Sequence, residues 1–226
     1  MKRHASSSIN YFKNIFYLFV FIGFSSVQAG SYDDFFTAVR QNDVGTITAL
    51  LQRGFDPNTV DPKGRPGLIL AIQGESTKVA EVLIRWPSTK VEVRNAADES
   101  PLMLAALAGD LQLCRMLIEK DADVNKTGWT PLHYAATHGH LDVMNLLLEE
   151  NAYIDAGSPN GSTPLMMAAR YGTPEAVKLL LDAGADPSLV NELGLSALDF
   201  ATQANRTDSA QLLSNAARRS QSKGTW

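Results

Sequence analysis

One stretch, Gly128-Trp129-Thr130-Pro131-Leu132-His133-Tyr134-Ala135-Ala136-Thr137-His138-Gly139-His140, returns along the chain at a near-constant interval. Ser162-Thr163-Pro164-Leu165-Met166-Met167-Ala168-Ala169-Arg170-Tyr171-Gly172 follows it, and Ser100-Pro101-Leu102-Met103-Leu104-Ala105-Ala106-Leu107-Ala108-Gly109 precedes it. With the leucine as anchor the copies fall at Phe35, Leu68, Leu102, Leu132, Leu165 and Leu198, in steps of 33, 34, 30, 33 and 33 residues. A fixed period of this size restricts the chain to stacked, nearly identical units. Each unit reads as a helix start. Thr130 is placed to cap the first turn with its hydroxyl. Pro131 occupies the first helical position, where a missing N–H costs nothing. Ala135 and Ala136 favour helix and allow a close neighbour. Gly139 stops the helix in a left-handed conformation. Val143 and Leu146-Leu147-Leu148 then form the apolar stripe of a second helix.

The Thr-Pro-Leu-His-x-Ala string and the period resemble the ankyrin repeat. The resemblance covers residues 32–215 and is weakest at the two ends, where a stack needs a polar outer face. It implies an all-α solenoid of about six helix-turn-helix repeats with finger-like β-turn loops, at 31–60, 61–95, 96–125, 126–155, 156–188 and 189–215 in a domain spanning 30–215. Across the copies the turn residue is Asn42, Glu75, Gly109, Gly139, Gly172 and Asn205. All but Glu75 are types that enter the left-handed region readily. Asp33 stands in the cap position of the first repeat, and Ser196 with Asp199 three later forms a capping box in the last. The second repeat departs furthest, with Pro66-Gly67 in place of Thr-Pro and about three extra residues at Trp86–Lys90, where a bulged loop is expected. The finger of the fourth repeat is three residues shorter than usual.

Residues 1–29 read as a secretory signal. Lys2, Arg3 and Lys13 supply the positive start, residues 15–24 the apolar run, and Val27-Gln28-Ala29 a cleavage site. The run is about half the ~20 residues that span a bilayer. The mature chain is therefore expected in a periplasm or outside the cell, with no stable membrane insertion. Residues 216–226 carry little apolar content and are expected to be a disordered tail.

Charge narrows the partner. The net charge is −4, and without the three basic residues of the leader 17 basic against 24 acidic residues leave −7. Nucleic-acid binding needs a basic stripe, so it is disfavoured. The lone cysteine, Cys114, rules out an internal disulfide and is expected as a buried apolar group on a second helix. His133 and His138 are five apart, not the three or four that share a helix face. His133 and His140 are therefore expected to pack and bond between repeats, and no metal or cofactor is expected. No Gly-rich phosphate loop, Gly-x-Ser-x-Gly or His-Glu-x-x-His occurs, and no catalytic residue is assigned.

Binding remains. A repeat stack exposes an extended groove of finger tips and first helices. The resemblance places contact residues three before the anchor and five or six after it. These are Arg65, Glu99, Trp129, Ser162 and Leu195 on fingers, and Gln73, Leu107, Thr137, His138, Arg170, Tyr171 and Gln203 on helices. Arg65, Glu99, Trp129, His138, Arg170 and Tyr171 are the expected protein-binding set. Trp129, His138, Arg170 and Tyr171 form its centre, because Trp, Tyr and Arg dominate interface hot spots. The expected function is non-enzymatic capture of a protein or peptide by a monomeric scaffold or adaptor in the periplasm, with a stress-protective role. The alternatives are an immunity protein that neutralises a secreted toxin or enzyme, and a hydrolase with a site at Trp86–Lys90, for which no nucleophile–base pair exists.

Overall fold

The computed structural model describes residues 30–223, so the signal segment at 1–29 and residues 224–226 lie outside the described part. Helices alternate along the chain: α1 (30–41), α2 (Val44–Gln52), α3 (Gly67–Gln73), α4 (Thr77–Arg85), α5 (Pro101–Ala108), α6 (Leu111–Ile118), α7 (Pro131–His138), α8 (Leu141–Glu149), α9 (Pro164–Arg170), α10 (Pro174–Asp182), α11 (Ala197–Gln203) and α12 (Thr207–Lys223). The first helices stack in chain order, α3 on α5, α5 on α7, α7 on α9 and α9 on α11. The second helices form a parallel row from α2 to α12. Helix α1 joins through Phe35, whose ring fills the space a Cβ on Gly67 would take. No strands form among the described residues; single antiparallel bridges, Val60–Pro66 and Val190–Ser196, close two of the fingers. No described helix is long and apolar enough to cross a membrane.

Small residues set the spacing. Ala105, Ala106, Ala135, Ala136, Ala168 and Ala169 are fully buried between first helices, and Phe35, Leu68, Leu102, Leu132 and Leu165 are buried beside them. Leu198, the last anchor, is only half-buried, since among the described residues no further first helix packs on α11. Cys114 is buried, and desolvation with the nearby Asp110 charge pushes its thiol up to about 12, so it serves as an apolar group.

The turn register holds, with one exchange. Asn42, Glu75, Gly109, Gly139 and Asn205 all have φ between 55° and 71°. Glu75 thus adopts the left-handed form that its type disfavours, and Gly172 does not adopt it. Pro174 explains the exception. A residue before proline is pushed to extended ψ, and Thr173 has ψ 157° where His140 and Asp110 have 81° and 89°. Gly172 is required for another reason: a Cβ there would sit 2.4 Å from the Ala136 carbonyl oxygen.

Capping also departs from the expectation at two sites, Thr130 and Asp33. Ser100 and Thr163 accept from Met103 N and Met166 N at 3.2 and 3.4 Å. The Thr130 hydroxyl bonds instead to His133 Nδ1 at 2.9 Å, because only this repeat offers a ring nitrogen three residues on. Ser196 and Asp199 form the expected box, with Ser196 N donating to Asp199 Oδ2 at 2.8 Å. Asp33 lies inside α1 and not at a helix start. The bulge at Trp86–Lys90 is present: Pro87 forces Trp86 to ψ 128°, which ends α4. Asn58 holds the bulge by donating to Ser88 O and accepting from Lys90 N, while Lys120 Nζ donates to the Ile84 and Trp86 carbonyls. At the other end, α12 continues to Lys223, so residues 216–223 extend the last second helix, where the sequence suggested a disordered tail.

Asn125 repeats the Asn58 device, donating to Asn151 O at 2.8 Å and accepting from Tyr153 N at 2.7 Å. An Asn125→Ala variant is expected to lose about 1–2 kcal/mol by urea denaturation, the worth of two such bonds. An unchanged midpoint would show that these bonds merely replace water.

Candidate protein-binding face

Finger tips and the free edges of the first helices form one face, on which each expected contact residue can be placed. Two fingers use theirs internally. Arg65 Nε and Nη2 donate to Asp61 Oδ2 at 2.8 and 2.6 Å, which clamps the finger of the second repeat. Glu99 is committed through both oxygens, to Asn95 Nδ2 at 2.6 Å and to the Tyr134 hydroxyl at 2.8 Å. Burial, then the bond to Glu99, raises the Tyr134 phenol above its ordinary range. Glu99 is therefore a brace between the third and fourth repeats. Ser162 is buried and Leu195 half-buried, so neither is a free contact.

Trp129 is half-buried, its ring edge-on to His133 at 5.3 Å and 77°. His133 is fully buried. Its Nδ1 accepts from Thr130 N at 3.2 Å, so Nε2 carries the proton and donates to Ser162 O at 2.9 Å. Desolvation lowers its pKa to about 4. His140 crosses the other way, Nε2 to Leu107 O at 3.0 Å, over Gly109, which has no room for a side chain. Both histidines thus join neighbouring repeats, as their positions suggested.

At the turn end, His138 is exposed and stacks on His140 with centroids 5.7 Å apart. Tyr171, at the equivalent place one repeat on, is 54% exposed. The Arg170 guanidinium lies over the Tyr171 ring at 5.3 Å and near the Phe200 ring at 5.7 Å, which orients it between the fifth and sixth repeats. The expected four-residue centre is therefore split. Trp129 stands at the finger end of α7 and His138 at its turn end, separated by the eight residues of that helix, about 12 Å. The free group is His138, Arg170 and Tyr171, with Gln203 exposed on the adjoining sixth repeat and Gln73 exposed further off, on the second.

Sequence reasoning missed the sixth finger. Leu189, Val190 and Leu193 are 37%, 57% and 77% exposed, half of the six exposed large apolar residues among those described. Their signal was present: Leu193 stands at the tip position that Lys63 and Asn160 fill with polar groups. In the Trp86–Lys90 loop, Thr89 Oγ1 is buried without a hydrogen-bond partner, so no base activates it. No group of three or more potential metal ligands occurs among the described residues.

The family described as "Ankyrin repeats (3 copies)" matches residues 35–125, 87–158 and 151–222. The zebrafish (Danio rerio) ankyrin repeat and SAM domain-containing protein 6 is 34% identical over 70 residues, 31% of this chain and 10% of that protein. The Drosophila melanogaster ankyrin repeat and KH domain-containing protein mask is 35% identical over 92 residues, 39% of this chain and 2% of that protein. The match thus spans a tenth or less of these relatives. An ankyrin repeat domain from Acinetobacter baumannii superposes with a TM-score of 0.71 at 26% identity, covering 81% of this chain and 97% of the other. A chain from the structure of a predatory endopeptidase of Bdellovibrio bacteriovorus in complex with an immunity protein gives 0.71 at 28% identity, covering 80% and 97%.

Proposed function

Because the chain belongs to the ankyrin repeat family, whose repeats serve as frames for protein–protein contact, we propose that it is a non-catalytic scaffold that captures a protein partner on its finger and first-helix face. The observation that carries this reading is the free group of His138, Arg170 and Tyr171, which the stack does not bury. A half-buried, ring-held Arg beside an exposed Tyr is the composition of an interface anchor. Residues 1–29 support action outside the cytoplasm, in a periplasm, where a stress-protective adaptor and a monomeric chain are the corresponding expectations.

A second reading has a specific support. The likeness to a chain of the endopeptidase–immunity protein complex favours neutralisation of an exported enzyme. A neutraliser holds one enzyme tightly, nanomolar or better on the usual affinity scale, and abolishes its turnover. A stress adaptor instead gives peroxide sensitivity on deletion with no single target.

Trp129 is a poor probe, because its loss would disturb His133. A His138→Ala/Tyr171→Ala variant is expected to melt with the wild type and to lose its partner in a tagged pull-down from the periplasm, read by mass spectrometry. Retention of the same partner at wild-type yield would remove this face from the account.

A further inference from the structure

Tips elsewhere on the fingers are polar or small, Lys63, Ala97, Thr127 and Asn160. The sixth finger differs, and it is rigid. Asn191, only 5% exposed, accepts through Oδ1 from Leu193 N and Leu195 N at 3.0 and 3.1 Å. Its own N–H donates to Leu195 O, Gly194 N donates to Asn191 O, and Glu192 N donates to Asn160 O of the preceding finger at 3.0 Å. The loop therefore holds Leu193 out in water without freedom to fold it back. Leu193 projects furthest, at the tip, with Leu189 and Val190 less exposed on the same finger; a convex finger offers no groove to receive a peptide, but its tip can enter one. Glu192 beside it is exposed, so the matching rim is basic.

We infer that the sixth finger is a docking knob, with Leu193 entering an apolar pocket of basic rim on a folded protein partner. The inference rests on the protein-capture reading and adds the partner's shape and charge. A pre-ordered finger loses little conformational freedom on binding. A second copy of this chain offers two grooves: the apolar one between α8 and α10 carries Glu149, Glu175 and Asp182 against Lys178 and repels Glu192, and the one between α10 and α12, with Lys178 and Arg219 against Asp182, is walled as much by polar as by apolar groups and seats a leucine poorly, so adducts to a second copy count against the knob.

The test places the photoreactive amino acid p-benzoylphenylalanine at position 193, and separately at 171, in the full chain made in its own cells. Joined residues are mapped by mass spectrometry, and the joined protein is then produced pure. Expected are adducts from position 193 to apolar side chains of a pocket with Lys or Arg at its rim. Leu193→Asp should then weaken binding to that protein roughly 30-fold, the loss typical of a hot spot. Tyr153→Ala, at another well-exposed apolar side chain, should leave binding unchanged. Adducts to a second copy, to a flexible segment or to lipid would overturn the knob, as would wild-type affinity in Leu193→Asp. Adducts at 171 alone would sink the knob and keep the capture reading; adducts at neither position would sink both.

Discussion

Acidification from pH 6.5 to about 4 is expected to remove about 3 kcal/mol from the stability of the fold through His133. The folded chain holds this imidazole neutral with Nδ1 facing the Thr130 N–H, a donor that cannot turn away. In that pH window the unfolded chain binds a proton and the folded chain does not, so stability falls as pH falls. The carboxyls of Asp43, Asp98, Asp186 and Asp199 are held low by side-chain hydrogen bonds, and their losses come below the ordinary carboxylate value. The two effects therefore separate along the pH axis. Urea midpoints measured at half-unit steps should show the upper one in the wild type and not in His133→Gln, which will be less stable at neutral pH. An equally steep fall in the variant would assign the sensitivity elsewhere.

Gly172→Ala is expected to cost about 3 kcal/mol, the upper end for overpacking. The new methyl would meet the Ala136 carbonyl oxygen at 2.4 Å and Ala168 at 3.0 Å, and backbone atoms cannot step aside as a side chain end can. The strain falls between the fourth and fifth repeats. In a stack held by nearest-neighbour contacts it should split thermal unfolding into two transitions, with the C-terminal repeats melting first. Gly184→Ala supplies the contrast: φ is +101° with nothing within 4 Å, so only the backbone penalty of about 1 kcal/mol applies. Equal losses in the two variants would show that repeat spacing is not what Gly172 protects.

The period, the helix boundaries and the turn register were legible because each repeat meets the same local demands, and Pro131, Ala135 and Gly139 answer them in a few adjacent positions. What was not legible depends on residues some 30 positions away. Glu99 looked like a contact until Tyr134 came to lie against it. Ser162 looked exposed until His133 bonded its carbonyl. Gly172 escaped the left-handed turn because a proline two residues on changed the path, a local signal that the repeat pattern masked. Leu193 was not legible because the repeat pattern marks Leu195, two residues along the same finger, as the contact position, and only the folded loop shows which of the two leucines faces water.

The side-chain bonds that join one repeat to the next span a narrow range of sequence, from the 26 positions between Asn125 and Asn151 to the 37 between Asn42 and Val79. A polypeptide stitched only to what lies one stride away behaves like a concertina. Loaded along its length it should yield pleat by pleat, at modest force, and close again quickly when released.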